Sequence, residues 1–151
     1  TSKASFTAVY PGDWTDPATW GGVAPSTNVL NDDIIIPEGM TVNLNVDVVF
    51  SGSAANKLLV EGTLSNNSEN GLEVLSGELT GAGVVAIRWI VFHDMSALSF
   101  TGLMNVKNFV NEAPSLNVAL DLNIGDTLDL RNGTVNLNTN GELTLEPYST
   151  Y

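Results

Sequence analysis

The chain has no cysteine, one histidine and only five Lys and Arg. Without cysteine it has no disulfides, thiolate metal sites or cysteine nucleophiles. A single imidazole and no thiol also fall short of a usual zinc site. Seventeen Asp and Glu give a net charge of −12, which repels phosphate backbones and anionic lipid, so nucleic acid is not an expected partner. Long hydrophobic runs are missing too. The longest, residues 84–92, is broken by Arg88 and is well short of the roughly 18–20 residues that cross a bilayer, so no membrane insertion is expected. No segment of eleven or more residues carries a helical period, which predicts an all-β chain.

What the chain does have is hydrophobic content of 43% over 151 residues, enough for one domain with a real core. Residues 121–146 give the clearest pattern. The pairs Leu122/Ile124, Leu128/Leu130, Val135/Leu137 and Leu143/Leu145 each skip one residue, which puts both side chains on one face of a short strand. Gly125-Asp126, Asn132-Gly133 and Asn140-Gly141 lie between the pairs and turn the chain about every seven residues. A chain that turns this often while keeping one apolar face is coiling around a common core.

Upstream, residues 1–31 hold Tyr10, Trp14, Trp20 and several Pro and Gly, and are expected to form an irregular aromatic cap. Terminal units of repeat proteins cover an otherwise open core, so Trp14 and Trp20 are expected to pack over the first coil. The coils are assigned to residues 32–151. Residues 32–36 read as a short strand closed by Pro37. Residues 40–50 alternate Val42, Leu44, Val46 and Val48 with polar side chains and read as one strand of good length. Residues 84–92 place Val85, Ile87, Trp89 and Val91 on one face and Ala86, Ile90 and Phe92 on the other. That predicts a strand covered on both sides or a sticky patch for another domain.

Short strands separated by Gly and Asn turns suit either a parallel β-helix or an antiparallel β-sandwich. Strands of three to five residues favour the β-helix. So does asparagine at the turns, where amides hydrogen-bond from coil to coil.

The series WTDPATWGGVAPSTN, DDIIIPEGMTVNL and KLLVEGTL resembles the opening of bacterial cell-surface β-helix proteins and is similar to the eight-glycine domain of extracellular proteins. The matching positions are Trp14, Trp20, Gly22, Pro25, Asp33, Ile36, Gly39, Val42, Leu44, Leu59, Val60, Gly62 and Leu64, about a third of the chain; Asn45 stands where that pattern often has an acidic residue. The resemblance implies a right-handed parallel β-helix from a secreted or outer-surface bacterial protein, often an adhesin. The other domains of a longer parent chain would be its neighbours, and a glycan or surface protein its partner. No catalytic residue carries over.

Candidate chemistry is sparse. His93 is followed by Asp94, but no G-x-S-x-G accompanies them, so His93 reads as the end of an apolar strand. Asp13, Asp16, Asp32 and Asp33 sit in turns and are the candidate calcium ligands, since short carboxylates supply hard oxygens there. Without calcium they read as caps on backbone groups, and no other cofactor is expected. Trp14, Trp20 and Trp89 are the candidate sugar contacts. Asp121, Asp126 and Asp129 are the acidic group a polysaccharide-cleaving β-helix would use. The expected function is a non-catalytic structural or adhesive module. The competing reading is a carbohydrate-binding or polysaccharide-cleaving β-helix.

Overall fold

A computed structural model describes residues 4–51, 56–66, 69–112, 115–118, 121–129, 134–137 and 142–145. The first circuit contains β1 (Ser5–Thr7), β2 (Gly12–Asp13) and β3 (Asn28–Leu30), with a 3-10 turn at Pro17–Trp20. β4 (Asp33–Ile36), β5 (Thr41–Asn43) and β6 (Val48–Ser51) form the second. β7 (Lys57–Val60), β8 (Thr63–Ser65) and the long strands β9 (Gly71–Gly81), β10 (Val84–Phe100) and β11 (Leu103–Asn111) follow. β12 (Ser115–Val118), β13 (Asp121–Asp129), β14 (Thr134–Leu137) and β15 (Glu142–Leu145) close the described chain.

Every described pairing is parallel, which excludes the antiparallel sandwich, and the pairings sort into three stacks. The first runs β1, β4, β7, then the latter parts of β9 and β10. The second runs β2, β5, β8, then the opening parts of β10, β11 and β13, and ends on β15. The third takes β3 and β6, the opening of β9, the middle of β10 and the ends of β11 and β13. β12 pairs with β14 separately. The fold is therefore a three-faced parallel β-solenoid.

In-register side chains explain why the sequence coils. Because facing residues repeat once per coil, each inward position becomes a ladder along the axis. One ladder is Val42, Leu64, Val85, Met104 and Leu122; another is Val48, Leu72, Ile90 and Phe109. All of these are buried, and each contributes roughly 1.5–3 kcal/mol against exposure. The coils also shorten along the chain. Register partners lie 24 residues apart at Ile34 and Leu58, 21 at Leu58 and Leu79, and 19 at Leu79 and Leu98. Early corners are therefore loops, whereas later ones are bends within continuous strands.

Two sequence expectations change for that reason. Residues 40–50 are two strands, β5 and β6, joined by a corner at which Asn45 N–H donates to Asn43 O at 3.0 Å. The period-two pattern survives because Leu44 is buried and Val46 packs against the core inside that corner. Residues 84–92 are neither sandwiched nor a patch. β10 bends near Arg88, leaving its pairing with β8 for one with β9, and the inward parity shifts there. Val85 and Ile87 face the core before the bend, Ile90 and Phe92 after it. Of the four strand pairs read in residues 121–146, Leu122/Ile124 and Leu128 share β13, Val135/Leu137 lie on β14 and Leu143/Leu145 on β15, while Leu130 and the turns Asn132-Gly133 and Asn140-Gly141 lie outside the described residues. Residues 1–31 contribute three solenoid strands in addition to the irregular aromatic segment.

Candidate functional site

Trp14 and Trp20 close the core at the first circuit. Trp14 is fully buried and Trp20 nearly so, and their rings meet edge to face, with centroids 5.4 Å apart. The Trp20 indole N–H donates to Trp14 O at 2.8 Å, and that of Trp14 to Ser26 O at 3.3 Å. Asp16 orients the pair. Its carboxylate caps the 3-10 turn by accepting from Ala18 N–H at 2.9 Å, and Gly21 ends the turn at a left-handed φ of 78°. Both tryptophans therefore leave the sugar-contact set, since stacking on a ring needs an open aromatic face. Trp89 differs. It is half-buried at the β10 bend, between exposed Arg88 and the core residue Ile90.

The four aspartates named for calcium are placed as caps. Asp13 accepts from Asn43 Nδ2 at 2.7 Å, Asp32 from Ala4 N–H at 3.1 Å and Asp33 from Lys57 N–H at 2.9 Å. With Asp16 on Ala18, each ties one coil to the next or closes a turn. Among the described residues no group of three or more His, Asp or Glu is arranged to hold a metal. Asp121 and Asp129 fall on opposite halves of β13, one in register with Leu103 and the other with Val110, so that acidic group spans two faces of the solenoid.

Coil-to-coil polar bonds are present but chemically mixed. Asn45 Nδ2 donates to Thr15 Oγ1 at 2.7 Å and Ser51 Oγ to Asn28 Oδ1 at 2.7 Å. Asn56, fully buried, donates to Ser51 O at 2.7 Å and Val29 O at 3.3 Å. The first two bonds tie successive coils with paired side chains of different types, whereas Asn56 reaches backbone carbonyls, Val29 O on the coil below and Ser51 O in its own.

The arrangement that sequence reading missed is centred on His93. Its Nε2 lies 2.8 Å from Glu73 Oε1 and its Nδ1 lies 2.7 Å from Glu112 Oε2. The side chains of His93, Glu73 and Glu112 are 26%, 35% and 23% exposed, so the group is only partly shielded from water. Glu73 comes from β9 and Glu112 follows β11, so the imidazole bridges three successive coils. Twenty and nineteen residues separate the three positions, and only the coil length of this part of the fold brings them together. Both ring nitrogens are engaged by carboxylates. The imidazole is thus placed to brace three successive coils.

No helix among the described residues is long and apolar enough to cross a membrane. No protein-family model, curated protein or solved structure matches this chain.

Proposed function

We propose that this chain is a rigid structural and adhesive module of an exported cell-surface protein, a spacer that also presents its outer strand faces to a partner. The observation that carries the reading is the unbroken parallel stack from β2 through β5, β8, β10, β11 and β13 to β15. At about 4.8 Å per strand the stack extends roughly 29 Å along one axis. Its interstrand hydrogen bonds lie along that axis, and its apolar ladders are continuous, so the rod resists bending. The excess of carboxylates keeps such rods from associating with one another. Force spectroscopy on a tandem array tests the spacer role: cooperative, high-force unfolding supports it, and progressive extension at low force counts against it.

A second reading, carbohydrate binding, rests on Trp89. It is half-buried beside exposed Arg88 and Lys107, on a corner where Asn108 and Thr127 continue its column. A glycan array run on the native chain and on Trp89→Ala separates the two. Specific binding lost in the variant makes this a carbohydrate-binding module.

A further inference from the structure

We propose that the outer face around Trp89 is a stacking platform for a neutral, unbranched β-linked polysaccharide, held along its chain and not at its end. This rests on the carbohydrate reading of Trp89 and names the sugar it takes.

The indole lies flat on the sheet. A Cβ built on Gly71 would meet Cγ, Cδ2 and Cε2 of Trp89 together. These atoms belong to the five-membered ring, and a point that crowds all three lies over the ring, not beside its edge. Gly71 faces outward on β9, because Leu72 and Val74 on the same strand alternate into the core. It is nevertheless buried, since the indole covers it. One ring face therefore rests on the outside of the coil below, and the other is turned away from the sheet. Such an outward face is what a sugar ring stacks on.

The neighbouring side chains widen the platform. Val91 lies two residues along β10, and Val110 is in register with it on β11; both are half-buried. Asn108 and Thr127 continue the Trp89 column on the coils above, where an amide and a hydroxyl can hydrogen-bond sugar hydroxyls. These residues stand on parallel strands about 4.8 Å apart, which makes a strip and not a pocket. A terminal sugar is gripped by a cleft that buries most of its surface. A strip instead suits a polymer that spreads its contacts over several units. Pyranoses with equatorial substituents show only axial C–H groups on their faces, and β-1,4 linkage joins them into a flat ribbon.

Charge selects a neutral chain. Exposed Arg88 and Lys107 stand beside the platform and by themselves would favour a carboxylated or sulfated sugar. On the coils below lie Asp47, which accepts from Gly71 N–H at 3.0 Å, and Glu73, two residues along β9. These carboxylates offset the cations locally. Away from the corner a net charge of −12 repels an anionic polymer along the rest of its length.

The test is affinity electrophoresis through gels holding either hydroxyethyl cellulose, the neutral probe, or polygalacturonate, the anionic one. Retardation of the native chain by hydroxyethyl cellulose alone is expected, and excess glucose should not relieve it. Trp89→Ala should weaken the interaction about tenfold or more, and Trp89→Phe should retain part of it, because a phenyl ring still offers a face. If the variants do not fold, fluorescence of the native chain decides. Trp14 and Trp20 are buried, so acrylamide quenching reports on Trp89, and hydroxyethyl cellulose should protect it. Absence of that protection overturns the proposal. Trp89-dependent binding of polygalacturonate, or release by glucose, overturns it too, but leaves Trp89 a sugar contact. Retardation by hydroxyethyl cellulose that survives in Trp89→Ala overturns it by placing the site elsewhere. Binding of neither polymer also overturns it, and a blank glycan array then removes the carbohydrate reading as well.

Discussion

Trp89 lies directly over Gly71 on the coil below: the two are in register between β10 and β9, and the indole fills the space a Cβ on Gly71 would need. The glycine is therefore the floor on which the only half-exposed tryptophan rests.

Gly71→Ala is expected to destabilise the chain by about 1–3 kcal/mol, the usual cost of overfilling a packed site. Chemical denaturation measures it, and a double-mutant cycle with Trp89→Ala identifies the cause. With the indole gone the alanine has room, so its cost should largely vanish. An undiminished cost in the double variant points to the backbone instead.

A second set of glycines is more exacting. Gly62, Gly83 and Gly102 stack at one corner, and a Cβ on Gly83 would run into the Gly62 carbonyl oxygen, as one on Gly102 would into that of Gly83. These carbonyls accept from Val84 N–H at 2.9 Å and Leu103 N–H at 3.0 Å, so they cannot swing aside without breaking the ladder. Gly83→Ala should cost about 3 kcal/mol or more. Gly39 is the control. It has a φ of 84° but nothing within 4 Å of its Cβ position, so Gly39→Asn, a residue that tolerates that backbone, should change stability little. Comparable losses at the two positions would contradict the steric account.

At the first circuit, Trp14→Ala removes a fully buried indole and the edge-to-face contact with Trp20. The expected loss is about 3–5 kcal/mol, with the near-ultraviolet dichroism of the pair disappearing. Trp14→Phe keeps an aromatic ring but leaves the Ser26 carbonyl without its indole donor, and should recover most of the stability. If Trp14→Ala melts like the native chain, the pair does not cap the core.

Exchanging calcium for a chelator is expected to leave the melting temperature unchanged. Asp13, Asp16, Asp32 and Asp33 already accept side-chain or backbone hydrogens in separate places, and an ion would have to draw them away from those bonds. A melting temperature that rises with added calcium would restore them as ligands.

Much of the architecture was legible in the residues because coiling is a repetitive constraint. Leu122 and Ile124, buried on β13, were readable as an inward pair from spacing alone. Trp14 and Trp20 were readable as a cap because an open apolar core end must be covered. Alternation does not, however, report where a strand bends. The pattern through residues 40–50 runs unbroken across a corner, since a side chain pointing inward at a corner is as apolar as one in a strand. At Arg88 the parity shift looked like two apolar faces, because sequence carries no sign that the chain has changed direction.

The candidate site was hidden for a different reason. Glu73, His93 and Glu112 belong to no local motif, and each alone resembles an ordinary surface residue. By itself the amino-acid sequence determined that this chain is all β, acidic and coiled around aliphatic pairs, since periodicity and turn residues are local properties. Only the tertiary structure decided that the coils are parallel and how many residues each takes. Coil length sets which side chains stack, and it was the shortening to about nineteen residues per coil that brought one imidazole between two carboxylates.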